Sequence, residues 1–375
     1  MTVDPRTLLM LPKIPGIGII RLRSLVNHFG DPARVLEATP RELAAVEGIE
    51  EKTALVIARF CRSAALVEIR HSADDQMLRL QRVGGRVVSL WDKEYPSNLK
   101  KIYDPPIALF TRGTFEPKDA YSIAVVGTRD PSPYGVHFAE RFATELARKG
   151  LPVISGLARG IDTCAHGAAL RAHGRTIAVI GSGIDRIYPS ENVPLAERIT
   201  RSGAVVSEYE MGAKPDAVNF PRRNRIISGI AMATLVVETG IEGGAMITAT
   251  TALDQNRDVF AIPYAINEKQ KSGTNLLIRE SKAMLVESVD EILSELAPRL
   301  RGVIDSSSSV RREAPAELSL FERQIYDVLP EDTPVHIDAL AQRSGLSTSD
   351  TLVHLLSLEI KGIVRQTPGK MFSRL

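Results

Sequence analysis

The stretch NFPRRNRIISG, residues 219–229, sets three guanidinium groups, Arg222, Arg223 and Arg225, directly behind an aromatic, Phe220. Asn219 and Pro221 favour a helix start, which predicts the arginines in a first turn. Cations there oppose the positive end of the helix dipole, at about a few tenths of a kcal/mol each. Bound phosphates would offset that cost; so would ion pairs with Glu208 or Glu238. Phe220 is either a platform for a nucleobase, worth about 1–3 kcal/mol per stacked base, or a hydrophobic staple fixing the helix entry. Arg129, in VGTR behind an apolar run, has the same two readings, with Asp130 and Asp162 as its acidic alternatives. Lys269 and Lys271, just before SGTN, either add positive charge to a ligand loop or are ordinary surface lysines.

Other reactive residue types form no convincing catalytic set. There is no G-x-x-x-x-G-K-[ST], and GSGIDR supplies half of a G-x-G-x-x-G fingerprint. Asp162, Cys164, His166 and His173 cluster in sequence, but the histidines are seven apart, too far for an i, i+4 zinc pair. Cys164 reads as a small core residue. Asp162 and Asp185, both in Gly-Ile-Asp, read as helix caps or loop anchors. No catalytic residue, metal ligand or cofactor is nominated. Two cysteines, Cys61 and Cys164, cannot build a disulfide framework, which suits a reducing cytoplasm. The first residues lack the apolar core of a signal peptide, and no run is long enough to span a bilayer. A net charge of +2 gives no argument for nucleic acid from the total, so local clusters must carry it.

Positioning those clusters requires a scaffold. Apolar runs at YSIAVVG, LPVISG, RTIAVIG, GAVVSE, ATLVVE, DVFAIP and AMLVE alternate with stretches of helical length. Strands so uniformly apolar are buried on both faces, which predicts a doubly wound, mostly parallel α/β sheet over residues 73–300. RVVSLWDKEYPSNL is expected to extend one edge. After successive strands come GTRD, SGLARGID, GSGIDRIYP, EYEMGAKPDAVNFPRRNR, ETGIEGGA and YAINEKQKSGTN. In such a sheet these loops share the carboxyl edge, where glycines and helix starts offer backbone amides to an anion. Residues 1–72 read as a helical module with two glycine hairpins, PGIG and EGIE, similar to helix–hairpin–helix units. In the second, Glu50 and Glu51 would repel phosphate. Residues 301–317 have a linker's composition. Residues 318–375 read as three helices and a hairpin, the order of a winged helix. Ser347 should cap the third helix, with Leu352, Leu355, Leu356 and Ile360 as its apolar stripe. Its polar positions are poor base readers.

VGTR, SGLARGIDTCAH, GSGIDRIYP, NFPRRNRIISG, EGGAMITA and SGTNLLI, in this order, make the chain resemble the DprA/Smf family of DNA-processing proteins over essentially its whole length. The resemblance implies an extended Rossmann-like domain between a helix–hairpin–helix (SAM-like) domain and a winged-helix-like domain. It implies a cytoplasmic protein without catalytic turnover that binds single-stranded DNA, protects incoming DNA and loads RecA recombinase during natural transformation. A homodimer through the Rossmann-like domain is implied too. Residue by residue, DNA-binding roles fall on Arg129 in the VG[ST]R element, on Phe220, Arg223, Asn224 and Arg225 in F-P-x-R-N-R, and on Ser155 and Gly156 in the serine–glycine element. Two rival readings are a nucleotide-binding enzyme of the phosphoribohydrolase type and a winged-helix regulator with a ligand-sensing core. Against the first, ETGIEGGAMITATTA lacks both Pro-Gly-Gly and the glutamate such enzymes carry. Against the second stands the third helix of the tail.

Overall fold

Proline and an aspartate or threonine before it start the first helices of the computed structural model. Asp4 accepts from the amides of Arg6 and Thr7 at the head of α1 (Pro5–Met10), and Thr39 and Glu42 form a capping box on α4 (Pro40–Ala44). Between them lie α2 (Ile19–Phe29) and α3 (Pro32–Glu37); α5 (Glu51–Cys61) and α6 (Ala65–Arg82) follow. The structure describes residues 3–265, 272–307, 318–330, 334–361, 363–367 and 369–374, with only the backbone of 301–307, 360, 367 and 374. They form two units, residues 1–298 and 299–375. Both glycine hairpins turn at left-handed backbone, Gly16 at φ +88° and Gly48 at φ +82°. Arg21 donates to both turns, at 3.0 Å to the Gly16 carbonyl and 3.1 Å to that of Gly48. Helix α6 runs unbroken past residues 72 and 73, where composition suggested a boundary.

The sheet holds β1 (Gly85–Ser89), β2 (Ala108–Gly113), β3 (Ile123–Val126), β4 (Val153–Ser155), β5 (Thr176–Ile180), β6 (Ala204–Ser207), β7 (Ala233–Val236), β8 (Asp258–Ala261) and β9 (Met284–Leu285). Their order is β1-β2-β6-β5-β4-β3-β7-β8-β9, parallel from β6 to β9 and antiparallel at β1 and β2. Each of the seven apolar runs contains one of the parallel strands. Strand β2 was not anticipated: in ALFTRG only the first three residues are apolar, and Thr111, Arg112 and Gly113 end it without an apolar signature. The expected edge extension narrows to β1, and the residues after it form loop and 3-10 turn.

Helices α7 (Pro133–Arg148), α8 (Ile161–Arg171), α9 (Val193–Ser202), α10 (Asn219–Ile230), α11 (Gly244–Asp254), α12 (Gly273–Arg279) and α13 (Val289–Ser307) complete the first unit and enter the second. Strands β3 to β6 build outward in one direction and β7 to β9 in the other, so the order reverses between β3 and β7. Such a reversal opens a crevice at the carboxyl ends of the two strands. Because α13 continues to Ser307, residues 301–307 of the expected linker are helical; 308–317 lie outside the described residues.

In the second unit, α14 (Leu320–Val328), α15 (Ile337–Ser344) and α16 (Thr348–Ile360) pack on β10 (Val335–His336), β11 (Val364–Thr367) and β12 (Met371–Arg374), ordered β10-β12-β11. Ser347 caps α16 as expected, accepting from the Asp350 amide at 3.1 Å. The apolar stripe differs in part from the expected one: Leu355 is buried as expected, and the Ile360 side chain lies outside the described residues. Thr351, Leu355 and Leu358 are buried, whereas Leu352 and Leu356 are 39% and 44% exposed. TLVHLLSLEI is apolar at so many positions that its spacing alone does not choose the face.

Candidate nucleic-acid interface

A crevice of about 730 Å³ occupies the reversal point, walled by the β3 loop (Gly127, Thr128, Arg129), the β7 loop (Thr239, Gly240) and the start of α11 (Gly243, Gly244, Ala245). Gly127 is required there, because a Cβ would lie 2.5 Å from Ile161 and 2.9 Å from the Glu238 carbonyl. A side chain at Gly244 would meet nothing within 4 Å, so this helix start opens directly onto free space. Its first amides and dipole end favour an anion. Arg129 supplies the matching cation. It is exposed, and no carboxylate pairs with it among the described residues, neither Asp130 nor Asp162. Glu238 is engaged elsewhere, accepting from the Ser132 amide at 3.0 Å and its hydroxyl at 2.6 Å at the head of α7.

The arginines behind Phe220 are not equivalent. Helix α10 begins at Asn219, with Val218 as its cap, so only Arg222 falls in the first turn. This corrects the expectation that all three would. Arg222 is exposed and does not line the crevice. Arg223, one residue on, points inward and is 4% exposed. Its Nη1 donates to the Gly156 carbonyl at 2.6 Å and to that of Val179, and its Nε has no acceptor among the described residues. Burial brings its pKa down to about 10, against the raising influence of Asp162. Asn224 lines the crevice beside it, with its amide nitrogen 3.4 Å from the Gly244 carbonyl. Arg225 takes the ion-pair alternative: its Nη2 lies 2.6 and 2.7 Å from the two Glu208 oxygens, and its Nε 3.0 Å from Asp104.

Phe220 is half-buried at the junction of the crevice and a smaller slot of about 40 Å³ that includes Tyr188, Gly181 and Ser182. The guanidinium of Arg129 lies 5.0 Å from its ring centroid and that of Arg223 5.9 Å. Tyr188, 43% exposed, is 6.1 Å away and tilted by 48°. Phe220 is thus an aromatic that already seats two cations, beside a second aromatic with an open face. The sequence reasoning missed Tyr188; the signal was an aromatic inside RIYP, at the end of a glycine-rich strand-end loop.

The SGLARGID loop is tied to itself, with Ala158 and Asp162 on the crevice wall and Gly156 and Arg159 in the smaller slot. Asp162 accepts from the amides of Gly156 at 3.0 Å and Ala158 at 3.3 Å. Between them Leu157 is held at φ +60°, with its carbonyl accepting from Asn192 at 2.9 Å. Ser155 is fully buried and donates to the Val125 carbonyl at 2.7 Å, so it braces the loop without lining the crevice. Gly156 has no room for a Cβ, which would run into the Arg223 guanidinium. Burial raises the Asp162 carboxyl, with Arg223 acting against it. His166 is fully buried, 2.7 Å from the Thr176 hydroxyl, and burial pushes its pKa down to about 3. Cys164 is partly buried, short of the full burial expected of a core residue. Lys269 and Lys271 lie outside the described residues. Among the described residues no three His, Cys, Asp or Glu side chains are grouped to hold a metal, and no helix is long and apolar enough to cross a membrane.

A doubly wound sheet whose reversal point carries an exposed arginine, a helix start and paired aromatics defines a Rossmann-type protein with a candidate anion site. Comparison with known families is specific. The model of DNA recombination-mediator protein A matches residues 86–297, that of the DprA winged helix domain residues 310–370, and a SAM-like helix-hairpin-helix tandem residues 8–63. Protein Smf of Escherichia coli is 34% identical over 354 residues, covering 93% of each chain. DNA processing protein DprA of Streptococcus pneumoniae is 40% identical over 236 residues, 63% of this chain and 83% of that one. The X-ray structure of DprA from S. pneumoniae superposes with a TM-score of 0.64 at 34% identity, covering 79% of this chain and 99% of that one. DNA processing protein A of Helicobacter pylori, described for its single-stranded DNA binding mode, gives 0.51 at 27% identity over 57% of this chain and 96% of that one. The chain belongs to the DprA/Smf family of DNA-processing proteins.

Proposed function

We propose that the chain binds single-stranded DNA across the crevice and passes it to RecA recombinase, as a DNA-processing protein of natural transformation. The observation that carries this reading is the exposed, unpaired Arg129 set over Phe220 at the mouth of an anion-favouring helix start. Arg129 and the first amides of α11 hold phosphate, Phe220 and Tyr188 face bases, and Arg223, Asn224, Ser155 and Gly156 fix the walls. Arg222 meets the strand outside the crevice, and Arg225 orients α10 through Glu208. Both the H. pylori relative, described as binding single-stranded DNA, and the recombination-mediator description of the matched family support the assignment. A homodimer through the Rossmann-like domain fits the short edge strand β9, whose Met284 and Leu285 are 45% and 41% exposed. The N-terminal and winged-helix modules act as accessory domains about this core.

The test is a competition titration of single-stranded DNA, duplex DNA and mononucleotides at two salt concentrations. Single strands should win, with an affinity that falls as salt rises, because phosphate contacts release counterions. Preference for a mononucleotide would favour an enzyme of the phosphoribohydrolase type, and preference for duplex a winged-helix regulator.

A further inference from the structure

The loop that delivers Phe220 to the crevice is fastened at its far side to the N-terminal helical module. Residues 208–218 connect β6 to α10, and their middle, Met211 and Gly212, lies against α6. The Met211 amide donates to the side chain of Gln76 at 2.7 Å. The Gly212 amide donates to Asp185 at 2.7 Å, and the other oxygen of Asp185 accepts from Arg79 at 3.0 Å. Lys13, just after α1, reaches Glu210 at 3.0 Å and the Ser72 hydroxyl of α6 at 3.0 Å.

Two glycines mark how tightly this knot is drawn. Gly212 sits at φ +83°, and a Cβ on it would lie 2.6 Å from the Arg79 guanidinium. A Cβ on Gly183 would lie 2.7 Å from both Asp185 and the Glu210 carbonyl. The same Gly183 donates its amide to the Ala213 carbonyl at 2.9 Å. Past the knot, Asn219 donates to the Gly181 carbonyl at 3.2 Å and accepts from the Tyr209 hydroxyl at 3.3 Å, so the loop's two ends are cross-tied immediately before Phe220. Every one of these groups belongs to a loop that forms the crevice rim or to α6 and the turn behind it. None of Gln76, Arg79 and Asp185 lines the crevice itself.

We propose that Gln76, bonded directly to Met211, and Arg79, acting through Asp185, are positioning residues for the 208–218 loop, so that the N-terminal helical module sets the placement of Phe220 and the affinity for single-stranded DNA. The proposal rests on the crevice being the DNA site. It makes the module a brace of that site rather than a separate nucleic-acid reader, which fits the acidic second hairpin. A mispositioned loop weakens stacking without removing a phosphate contact, so affinity falls while the salt dependence stays as it was.

Full-length chain titrated with a fluorescent oligothymidylate at two salt concentrations tests this, with Arg79→Ala, Asp185→Asn, their double variant, and Arg6→Ala as control. Asp185→Asn is isosteric and keeps an acceptor for the Gly212 amide, so it cuts the Arg79 contact without removing side-chain volume. Each single variant should lose about tenfold in affinity with an unchanged salt slope, and the double variant should lose no more than either, because one chain of contacts is being cut. Amide exchange across 208–218 should quicken in both variants, a reading that needs no DNA. Arg6→Ala, which breaks an exposed pair with Asp74 on the same helix, should change neither. Native affinity and native exchange in Asp185→Asn would overturn the proposal, as would a lowered salt slope in Arg79→Ala, which would make it a phosphate contact. Failure of the unmodified chain to bind would count against the crevice reading instead, with loop exchange still deciding the brace.

Discussion

Arg129 and Arg223 are interchangeable in sequence terms, each a guanidinium beside a strand-end loop, yet the fold gives them opposite circumstances. Arg129 is exposed, unpaired and perched on Phe220. Its replacement by alanine should cost about 1.5–3 kcal/mol of DNA affinity and lower the salt slope by about one unit, with the melting temperature unchanged. Parallel titration and melting check both halves, and native affinity would remove Arg129 from the site. Arg223 is buried against Asp162 and two carbonyls. Arg223→Ala should therefore unfold more readily, by about 1–3 kcal/mol, since it leaves the Gly156 and Val179 carbonyls without their buried donor. The family resemblance implies a DNA contact for Arg223, whereas its burial makes it first a residue that holds the crevice wall. His166 gives a pH signature at the same scale. Neutral when folded, with a pKa near 3 against 6.5 when free, it takes up a proton only on unfolding. Its contribution is complete above about pH 6.5 and fades as pH falls toward 3, by at most about 1.4 kcal/mol per pH unit. Urea melts of the chain and of His166→Gln at pH 7, 6 and 5 should show the difference shrinking with acid.

At the scale of elements, what could be read depended on how many faces a segment buries. The parallel strands other than the exposed edge strand β9 bury both faces, so ATLVVE or RTIAVIG announces itself by composition, and the loops at their ends follow from topology. Strand β2 pairs antiparallel beside β6 and ends in Arg112 and Gly113, so its short apolar run carried no such signature. Site residues were legible as a neighbourhood and illegible as orientations. A step of one residue along α10 turns Arg222 outward and Arg223 inward, and nothing in PRRNR fixes that rotation. The same degeneracy misplaced the stripe on α16. Leu355 is buried among Ile325, Leu340 and Phe372, so Leu355→Ala should destabilise the second unit by about 2–5 kcal/mol. Leu352→Ala, on the exposed side, should shift it by less than about 1 kcal/mol. Equal losses in denaturant titrations followed by amide exchange of the second unit would restore the sequence-derived stripe.

The whole molecule carries a formal charge of only +2, so neither long-range attraction to DNA nor self-repulsion between copies dominates its behaviour. On the proposed reading, binding comes from the local cluster at the reversal point, and any pairing of copies would draw on exposed apolar surface. The nine-stranded sheet ends at β9, a two-residue strand paired on one side by β8. An edge with Met284 and Leu285 turned outward is open to a second copy through backbone pairing and apolar contact. The opposite edge differs: beside β1, Ser89 donates its amide to Asp92 at 2.7 Å, which blunts that end of the strand. Dimerisation through β9 would also set two crevices on one assembly, letting a single strand engage both and raising avidity without any new contact. Leu285→Arg should then give a monomer by light scattering at micromolar concentration, with native melting because the side chain is exposed in the single chain. Its affinity for a short oligonucleotide that fills one crevice should hold, while affinity for a long strand should drop by about a hundredfold or more, the avidity lost with the second site. A Leu285→Arg chain that still scatters as a dimer would place the interface elsewhere, and equal losses for short and long strands would mean that the crevice itself depends on β9.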